Sequence, residues 1–376
     1  MAALRGLLPR AAFVLLGSAA ALAIGELAVR TLVPGRPVFD LRGLHELRPD
    51  EPWLYGLRSG VEGRLSNTGE VLYRINSDGF RGPRHARPKP AGMFRVVVVG
   101  DSIAFGYGVQ EEESFPRMLE ARLRELAPRA RVEVVNLGVG GYNAWNESEL
   151  LKDVGLGYEP DLVLVQFCIN DLNDPGLHFD AQTRLALSSI PDAAFPDPAR
   201  RRGGRAAPSR ALAACLRSKL CSGAHELWLA WRTTRMDEET SRAALIPVED
   251  RARPEWTWLE DRYREIEATA RASRARFAIL AFPYRSQLGG RTPDPVQEQL
   301  RELGRRHGWA LVDPLPAFRR AHASGTPLFA DWWHPTAAGH RVAAEETLQV
   351  LACGGALGDA ARGACLRGPD ARAGGE

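Results

Sequence analysis

The sequence predicts an α/β fold in which helices cover both faces of a parallel sheet of five strands, giving three layers. Five short apolar runs rich in Val, Ile, Leu and Phe are typical of strands buried on both faces. Segments of helical periodicity alternate with these runs, and this alternation requires crossover connections between parallel strands. Of the 376 residues, 45% are hydrophobic and 25% charged, which excludes a disordered, collagenous or multi-span membrane protein.

The predicted elements follow one another from residue 96 to residue 351. Strands are expected at 96–99, 132–135, 162–167, 277–282 and 309–312, and helices at 114–126, 145–154, 256–273, 296–307 and 336–351. Ligands of such folds bind beyond the carboxyl ends of the strands. The residues that follow each strand are therefore the candidate functional residues.

The chain divides into a main domain with additions. Residues 31–92 are turn-rich and hold too few apolar residues for a separate core, so we expect an extension packed on the main domain, 93–352. The stretch at about 174–254 is too long for a simple loop and is predicted to be an insertion that overhangs the strand ends. Residues 353–376 are rich in Gly and Ala and are predicted to form a flexible tail.

The first 30 residues have the pattern of an export signal. Arg5 and Arg10 precede an uncharged apolar run, Ala11 to Gly25, and the export machinery recognises a basic flank followed by such a run. One interpretation is an uncleaved signal anchor in the inner membrane, facing the periplasm; a second is a signal peptide removed near Ala21-Leu22-Ala23, giving a secreted protein. A buried soluble helix is the third. Both export interpretations place the rest of the chain outside the cytoplasm.

The cysteines are compatible with an oxidising compartment. Cys215 and Cys221 are six residues apart, and Cys353 and Cys365 are twelve apart, so each pair could close a small loop. Cys168 lies in a buried apolar run and is expected to be a free thiol. The cysteine spacing does not resemble a zinc site.

Charge and motifs give no indication of nucleic acid or a cofactor. The net charge of +3 is too small to suggest a nucleic-acid partner. Gly138 and Gly140 begin a dinucleotide-binding fingerprint, but Asn143 occupies the position of its last glycine, and the chain has no Gly-Lys-Ser/Thr. We therefore predict no cofactor and no metal.

Two strand ends carry Ser or Gly at the start of the next helix. Gly100-Asp101-Ser102 follows the first strand. A serine there can be exposed on a tight turn in front of a helix dipole, although it could equally be an ordinary helix N-cap. The segment from Asn136 to Gly141 follows the second strand; its glycines either let a backbone N–H approach a ligand or simply form a tight turn.

The third strand and the last helix are flanked by polar side chains. The third strand is followed by Asn170, whose amide can stabilise an oxyanion, and by Asp171, which is better suited to tying loops together. Asp331 and His334 lie three residues apart before the last helix. A carboxylate so placed can fix the imidazole tautomer, but the pair could also be half a metal site or a surface ion pair. His322 and His340 are the nearest further ligand candidates, and His340 is better suited to packing inside the helix.

Together these four blocks resemble the SGNH, or GDSL-like, hydrolase family over about residues 93–350. The resemblance implies a flavodoxin-like hydrolase fold, with Ser102 as nucleophile, His334 as general base and Asp331 as the acid that orients it. It also implies an oxyanion hole formed by the backbone N–H groups of Ser102 and Gly141 and by the Asn170 side chain.

Three details qualify the resemblance. Ile103 replaces the family's Leu, and Cys168 stands where the third block usually has Gly, so its thiol is expected to narrow the pocket beside the oxyanion. The segment from Asn76 to Phe80, with Arg81-Gly82, resembles membrane-linked bacterial members.

The implied function is that of an extracytoplasmic serine esterase. Its substrate would be a short O-acyl ester of a glycan, a lipid or a small molecule, cleaved through an acyl-enzyme. Three alternatives stay open: an O-acyltransferase that modifies an envelope polysaccharide, an inactive module that binds glycan, and a metal-dependent hydrolase built on Asp331 and His334. The oligomeric state is not predicted.

Overall fold

The structure is a computed structural model of the chain. It describes residues 44–48, 50–64, 71–172, 254–289 and 294–358, with shorter pieces at 17–18, 20–28, 31, 218, 221 and 365. Almost all of the predicted insertion at 174–254, most of the predicted tail and the first 16 residues lie outside this part of the chain. The domain boundaries given above therefore remain predictions.

A parallel sheet of five strands forms the centre of the fold, as predicted. Its strands are β5 (Met93–Val99), β6 (Arg131–Asn136), β7 (Leu162–Phe167), β8 (Arg276–Ala281) and β9 (Ala310–Val312). They lie in the order β6-β5-β7-β8-β9, and all four pairings are parallel. Val96 to Val99 on β5, an interior strand, are fully buried, because helices cover both faces. The predicted α/β fold class is confirmed.

Seven α-helices accompany the sheet in the described part of the chain. They are α1 (Ser102–Phe105), α2 (Phe115–Leu126), α3 (Ala144–Asp153), α4 (Pro254–Ala272), α5 (Pro295–His307), α6 (Leu315–Ala323) and α7 (Ala337–Cys353). The five predicted helices correspond to α2, α3, α4, α5 and α7 within two residues at each end. The sequence pattern did not predict α1 or α6, which are too short to show a clear helical period.

Two small antiparallel sheets precede the main sheet. Strand β1 (His45–Leu47) pairs with β2 (Tyr55–Leu57), and β3 (Glu62–Arg64) pairs with β4 (Leu72–Arg74). Trp53 and Tyr73 are buried there in the same hydrophobic core as the strands of the main sheet. The described residues between 44 and 92 therefore pack against the main domain.

The N-terminal prediction receives no support from the described residues. Residues 20–28 are helical, and Leu22, Ile24 and Leu27 on that helix are exposed. No helix in the described ranges is both long enough and apolar enough to cross a membrane. The predicted signal anchor at 1–30 falls mainly on residues that are not described.

The cysteines follow the predicted pattern where the structure describes them. Cys353 at the end of α7 forms a disulfide with Cys365. Cys221 is also disulfide-bonded, whereas its predicted partner, Cys215, lies outside the described residues. Cys168 is a buried free thiol.

Candidate active site

Ser102 follows the carboxyl end of β5, an interior strand of the sheet, and lies on the first turn of α1. Gly100 allows this turn, because a Cβ atom there would lie 2.7 Å from Gln166 Oε1 and 2.8 Å from the Ala104 Cβ. The helix is capped by Asp101, whose carboxylate accepts a hydrogen bond of 2.8 Å from the Ile103 N–H. The alternative interpretation of Ser102 as the N-cap is therefore wrong, and its hydroxyl is available for another partner.

That partner is His334, which contacts both Ser102 and Asp331. Its Nε2 lies 3.0 Å from Ser102 Oγ, and its Nδ1 lies 2.7 Å from Asp331 Oδ2. The second carboxylate oxygen, Oδ1, accepts the backbone N–H groups of His334 at 2.7 Å and Trp333 at 2.8 Å. One oxygen of Asp331 thus orients the imidazole, while the other fixes the loop that carries it.

The contacts that His334 and the neighbouring backbone make with Asp331 favour the ionised form of its carboxyl group. Burial alone would raise the pKa of Asp331, but the hydrogen bond and positive charge offered by His334, with the backbone N–H bonds, hold it below its ordinary value. The Asp331 side chain is still 41% exposed, so solvent screens part of this attraction. A carboxylate in this position stabilises an imidazolium, and an imidazole so supported can accept a proton from the serine.

Tyr107 forms one side of the same site and was missed by the sequence reasoning. Its ring centroid lies 4.2 Å from that of His334, with the planes tilted by 41°. The Tyr107 N–H donates to the Ser102 carbonyl at 2.9 Å, so the turn that ends α1 brings the ring back over the imidazole. No sequence pattern pointed to Tyr107, because α1, whose end places it there, is only four residues long and was not predicted.

The segment after β6 is fitted tightly against α1. A Cβ atom on Gly138 would lie 2.5 Å from the Phe105 backbone nitrogen. The side chain of Asn136 donates to the Ala104 carbonyl at 2.7 Å and accepts the Gly138 N–H at 2.9 Å. The tight-turn interpretation is therefore confirmed at Gly138, and the approach of a backbone N–H to a ligand stays a prediction.

The two remaining residues of the predicted oxyanion hole lie on neighbouring loops. Gly141 has a φ of +80°, which favours glycine, and it immediately precedes Tyr142. Asn170 lies on a 3₁₀ turn, Ile169–Leu172, and its Nδ2 donates to the Tyr142 carbonyl at 2.6 Å. This hydrogen bond links the third block to Tyr142, the residue directly after the second block.

Cys168 lies beneath the site rather than at its surface. It is only 4% exposed, and its thiol is hydrogen-bonded to the Asp101 carboxylate; burial, followed by the charges of Asp101 and Asp171, raises the pKa of this thiol. The expectation that the thiol narrows the acyl pocket is therefore not supported. Asp171 ties loops together as predicted, because its Oδ2 accepts the Cys168 N–H and the Tyr263 hydroxyl, each at 3.0 Å.

Comparison with known protein families shows which family this chain belongs to. A model of the GDSL-like lipase/acylhydrolase family matches residues 98–342, which include all four blocks. The chain belongs to this family. It is therefore a hydrolase of the type that acts on ester bonds.

Solved structures with similarity to this GDSL-like hydrolase are distant in sequence. One is LAE5, an alpha/beta hydrolase from the metagenome of Lake Arreo, Spain, with 19% identity over 69% of this chain and 95% of that chain, and a TM-score of 0.40. Another is a lipolytic G-D-S-L family member from Veillonella parvula, with 15% identity over 69% and 97% and a TM-score of 0.39. A catalytic mutant of Axe2, an acetylxylan esterase from Geobacillus stearothermophilus, shows 13% identity over 69% and 94%, with a TM-score of 0.40. No curated protein matches the chain.

Arg81, from the segment that precedes β5, holds the loop that follows α1. Its guanidinium donates to the carbonyls of Phe105 at 3.0 Å, Gly106 at 2.5 Å and Val109 at 2.8 Å. It also lies over the Tyr73 ring, 4.4 Å from its centroid. Burial lowers the pKa of Arg81 to about 10, which leaves the guanidinium charged at neutral pH. Arg81 thus fixes the loop that carries Tyr107.

A second contact from the same extension supports the loop of Gly141. The Tyr142 hydroxyl donates to the Tyr55 carbonyl at 2.5 Å, and the Tyr55 hydroxyl donates to the Gly140 carbonyl at 3.3 Å. Behind this loop, Asn146 on α3 donates to the Trp53 carbonyl at 3.2 Å. The described residues between 44 and 92 therefore hold the loop that follows α1 and the loop of Gly141.

The other histidines considered from the sequence are not part of the site. His340 is fully buried, and its Nδ1 accepts the Phe115 N–H at 3.2 Å; burial lowers its pKa to about 3. His322 is exposed on α6. Within the described ranges, no three His, Cys, Asp or Glu side chains come together in a group that could hold a metal ion.

Proposed function

We propose that this hydrolase is a serine esterase in which Ser102 is the nucleophile, His334 the general base and Asp331 the orienting acid. The observation that carries the proposal is the continuous chain of hydrogen bonds from hydroxyl to imidazole to carboxylate, 3.0 Å and 2.7 Å long. In this arrangement the Ser102 proton passes to His334 Nε2 as Oγ attacks the ester carbonyl.

The acyl-enzyme cycle follows from the same contacts. His334 returns the proton to the leaving alkoxide, so the alcohol departs and the acyl group stays on Ser102 Oγ. Water then gives a proton to His334 and attacks the acyl carbonyl, and the protonated His334 reprotonates Ser102 as the carboxylic acid leaves. Asp331 stays ionised throughout and stabilises the imidazolium formed in each half.

The tetrahedral intermediates need donors for a negative oxygen. We assign this role to the backbone N–H groups of Ser102 and Gly141 and to Asn170 Nδ2. Asn170 Nδ2 donates to the Tyr142 carbonyl at 2.6 Å, and the Asn170 side chain is also hydrogen-bonded to the Asp101 carboxylate, so two contacts orient the amide. Donors fixed in advance stabilise the charge that develops in the transition state.

The proposed substrate is a short O-acyl ester of a glycan, a lipid or a small molecule, and the proposed location is outside the cytoplasm. The basic and apolar pattern of residues 5–25 supports the location, as does the disulfide between Cys353 and Cys365. Half-buried Tyr107, whose ring centroid lies 4.2 Å from that of His334, supports an alcohol group with an apolar face.

A fluorophosphonate ester tests the nucleophile. The wild-type protein should be labelled covalently, and Ser102→Ala should not be labelled. Ser324→Ala, which changes an exposed serine outside the site, is the matched control and should be labelled like the wild type. Labelling that persists in Ser102→Ala would show that the assignment is wrong.

The acyl acceptor is tested separately with an acetyl ester, in the presence and absence of an oligosaccharide. Release of acetate at the same rate in both, with no acetylated sugar, is the expected result for an esterase. Transfer of the acetyl group to the sugar would instead identify an acyltransferase. Saturable binding of the oligosaccharide without turnover of any ester would favour a binding module.

A further inference from the structure

The ring of Tyr107 lies against the imidazole of His334. The two centroids are 4.2 Å apart and the planes are tilted by 41°, which is closer than the roughly 4.5–7 Å at which aromatic pairs usually pack. This separation is too short for an edge-to-face pair, so the faces of the two rings overlap at a tilt. Both residues are half-buried, so water screens only part of the contact.

A charge develops on this imidazole only during the reaction. In the proposed mechanism His334 is neutral until it accepts the Ser102 proton, and it is a cation while each tetrahedral intermediate exists. The face of an aromatic ring attracts a cation that lies within about 6 Å of its centroid. The Tyr107 ring therefore stabilises the imidazolium more than the neutral imidazole. A contact that is stronger in the transition state than in the ground state raises kcat.

Tyr107 also holds the imidazole from a direction that its hydrogen bonds do not cover. His334 contacts Asp331 through Nδ1 and Ser102 through Nε2. The hydrogen bonds of an imidazole lie near the plane of its ring, so the faces of the ring are held by packing contacts alone. The Tyr107 ring supplies such a contact on one face.

The loop that carries Tyr107 is fixed by residues of the extension. Arg81 donates to carbonyls on both sides of Tyr107, as described above. On the C-terminal side, the Gly108 N–H donates to the Tyr73 hydroxyl at 2.8 Å. The Tyr73 ring itself stacks on Phe105, with centroids 5.3 Å apart and planes 4° from parallel. The extension thus sets the position of the Tyr107 ring before a substrate binds.

We propose that Tyr107 is a positioning residue for the reaction, whose ring holds the His334 imidazole in line with Ser102 and stabilises the imidazolium. Tyr73 secures this placement from the extension. The role rests on the proposed function, because His334 becomes charged in each half of the cycle only if it is the general base. It gives residues 71–82 a part in turnover, although none of them contacts the reacting atoms in the mechanism above.

The role of the ring is tested by kcat and KM of the full chain for a small acetyl ester. Tyr107→Phe keeps the aromatic face and should keep kcat within about threefold of wild type. Tyr107→Leu keeps apolar bulk without an aromatic face, and should lower kcat about tenfold at unchanged KM, as expected for the loss of a partly desolvated cation–π contact. A Leu variant with wild-type kcat, or with a loss confined to a higher KM, would overturn the proposal, because the ring would then serve only to bind the alcohol group. A Phe variant as impaired as the Leu variant would also overturn it.

The part played by the extension is tested by Tyr73→Phe. This change removes the hydroxyl that accepts the Gly108 N–H and keeps the ring that stacks on Phe105. We expect kcat to fall by about three- to tenfold, because one hydrogen bond that fixes the loop is lost. Tyr158→Phe is the matched control, since it removes a hydroxyl that donates to Asp78 at 3.3 Å on the turn before β7, and it should keep the wild-type kcat. Equal kcat values for the two variants would contradict the role of Tyr73.

The contact between the two rings is tested without turnover, by the NMR signals of the imidazole ring protons in histidine-labelled protein. The His334 signals are assigned by their loss in His334→Gln. An aromatic face shields protons that lie over it, so these signals should lie upfield in the wild type and in Tyr107→Phe relative to Tyr107→Leu. Signals that do not move in Tyr107→Leu would overturn the proposal. Fluorophosphonate labelling separates this failure from failure of the proposed function, because a wild type that is not labelled would refute Ser102 as the nucleophile whatever the NMR signals show.

Discussion

Replacing Asp331 by Asn tests how the carboxylate controls His334. The carboxylate has two separate tasks, since Oδ1 accepts two backbone N–H groups and Oδ2 accepts from the imidazole Nδ1. In Asp331→Asn the amide oxygen can keep the backbone contacts. The amide nitrogen then faces Nδ1 and donates to it, which forces the imidazole proton onto Nε2.

The expected loss follows from this change of tautomer. An Nε2 that carries a proton cannot accept the proton of Ser102, although it lies 3.0 Å from Oγ. The wrong tautomer lowers kcat by about 10⁴-fold in an enzyme with the same arrangement, which corresponds to about 5 kcal/mol of barrier. Because the backbone contacts survive, we expect the free energy of unfolding to change by less than about 1 kcal/mol.

The assay compares kcat/KM for a small acetyl ester with the urea midpoint of each variant. Asp331→Ala is the informative companion, because it loses the orientation of His334 and both N–H contacts, and should lose stability as well as activity. If Asp331→Asn retained kcat/KM within about tenfold of wild type, Asp331 would not set the tautomer of His334, and another group would have to orient the imidazole.

Three further predictions concern the loops around Ser102. Asn170→Ala should lower kcat by about 10²–10³-fold with little change in KM, and a change in KM alone would exclude a role confined to the transition state. Gly138→Ala should lower the free energy of unfolding by about 1–3 kcal/mol, because its Cβ would lie 2.5 Å from the Phe105 nitrogen; unchanged thermal melting would contradict this close fit. Arg81→Met leaves three carbonyls without their donor and should cost at least about 2 kcal/mol by urea unfolding, with Arg74→Met, an exposed arginine, as the control.

The five-stranded sheet and the order of the site residues along the chain could be predicted from the sequence, because buried parallel strands have a recognisable pattern. Strands buried on both faces are continuous apolar runs, and Val96 to Val99 have this form and are fully buried. In a parallel sheet the carboxyl ends lie on one edge, so Ser102, Gly141 and Asn170 were expected at that edge. The contact between His334 and Ser102, which are 232 residues apart, could be expected only through the family resemblance.

Other features depend on tertiary contacts that leave no periodic signal. Ser102 and Asp101 are both good N-cap residues, and only the path of the backbone decides that Asp101 caps α1. Arg81 donates to backbone carbonyls. Because every residue has a carbonyl, no sequence pattern predicts these partners. Glu147 lies in the polar sequence Asn146-Glu147-Ser148, which is typical of an exposed helix face. It is nevertheless buried, because α4 and the turn after β7 pack against α3.

The most direct measurement is to trap the covalent intermediate. The protein is mixed with a slowly hydrolysed ester, quenched in acid during the first turnovers, digested and sequenced by mass spectrometry. We expect the acyl group on the hydroxyl of Ser102 and on no other residue. An acyl group on a different side chain, or steady ester turnover with no acylated peptide, would contradict the assignment of Ser102 as the nucleophile.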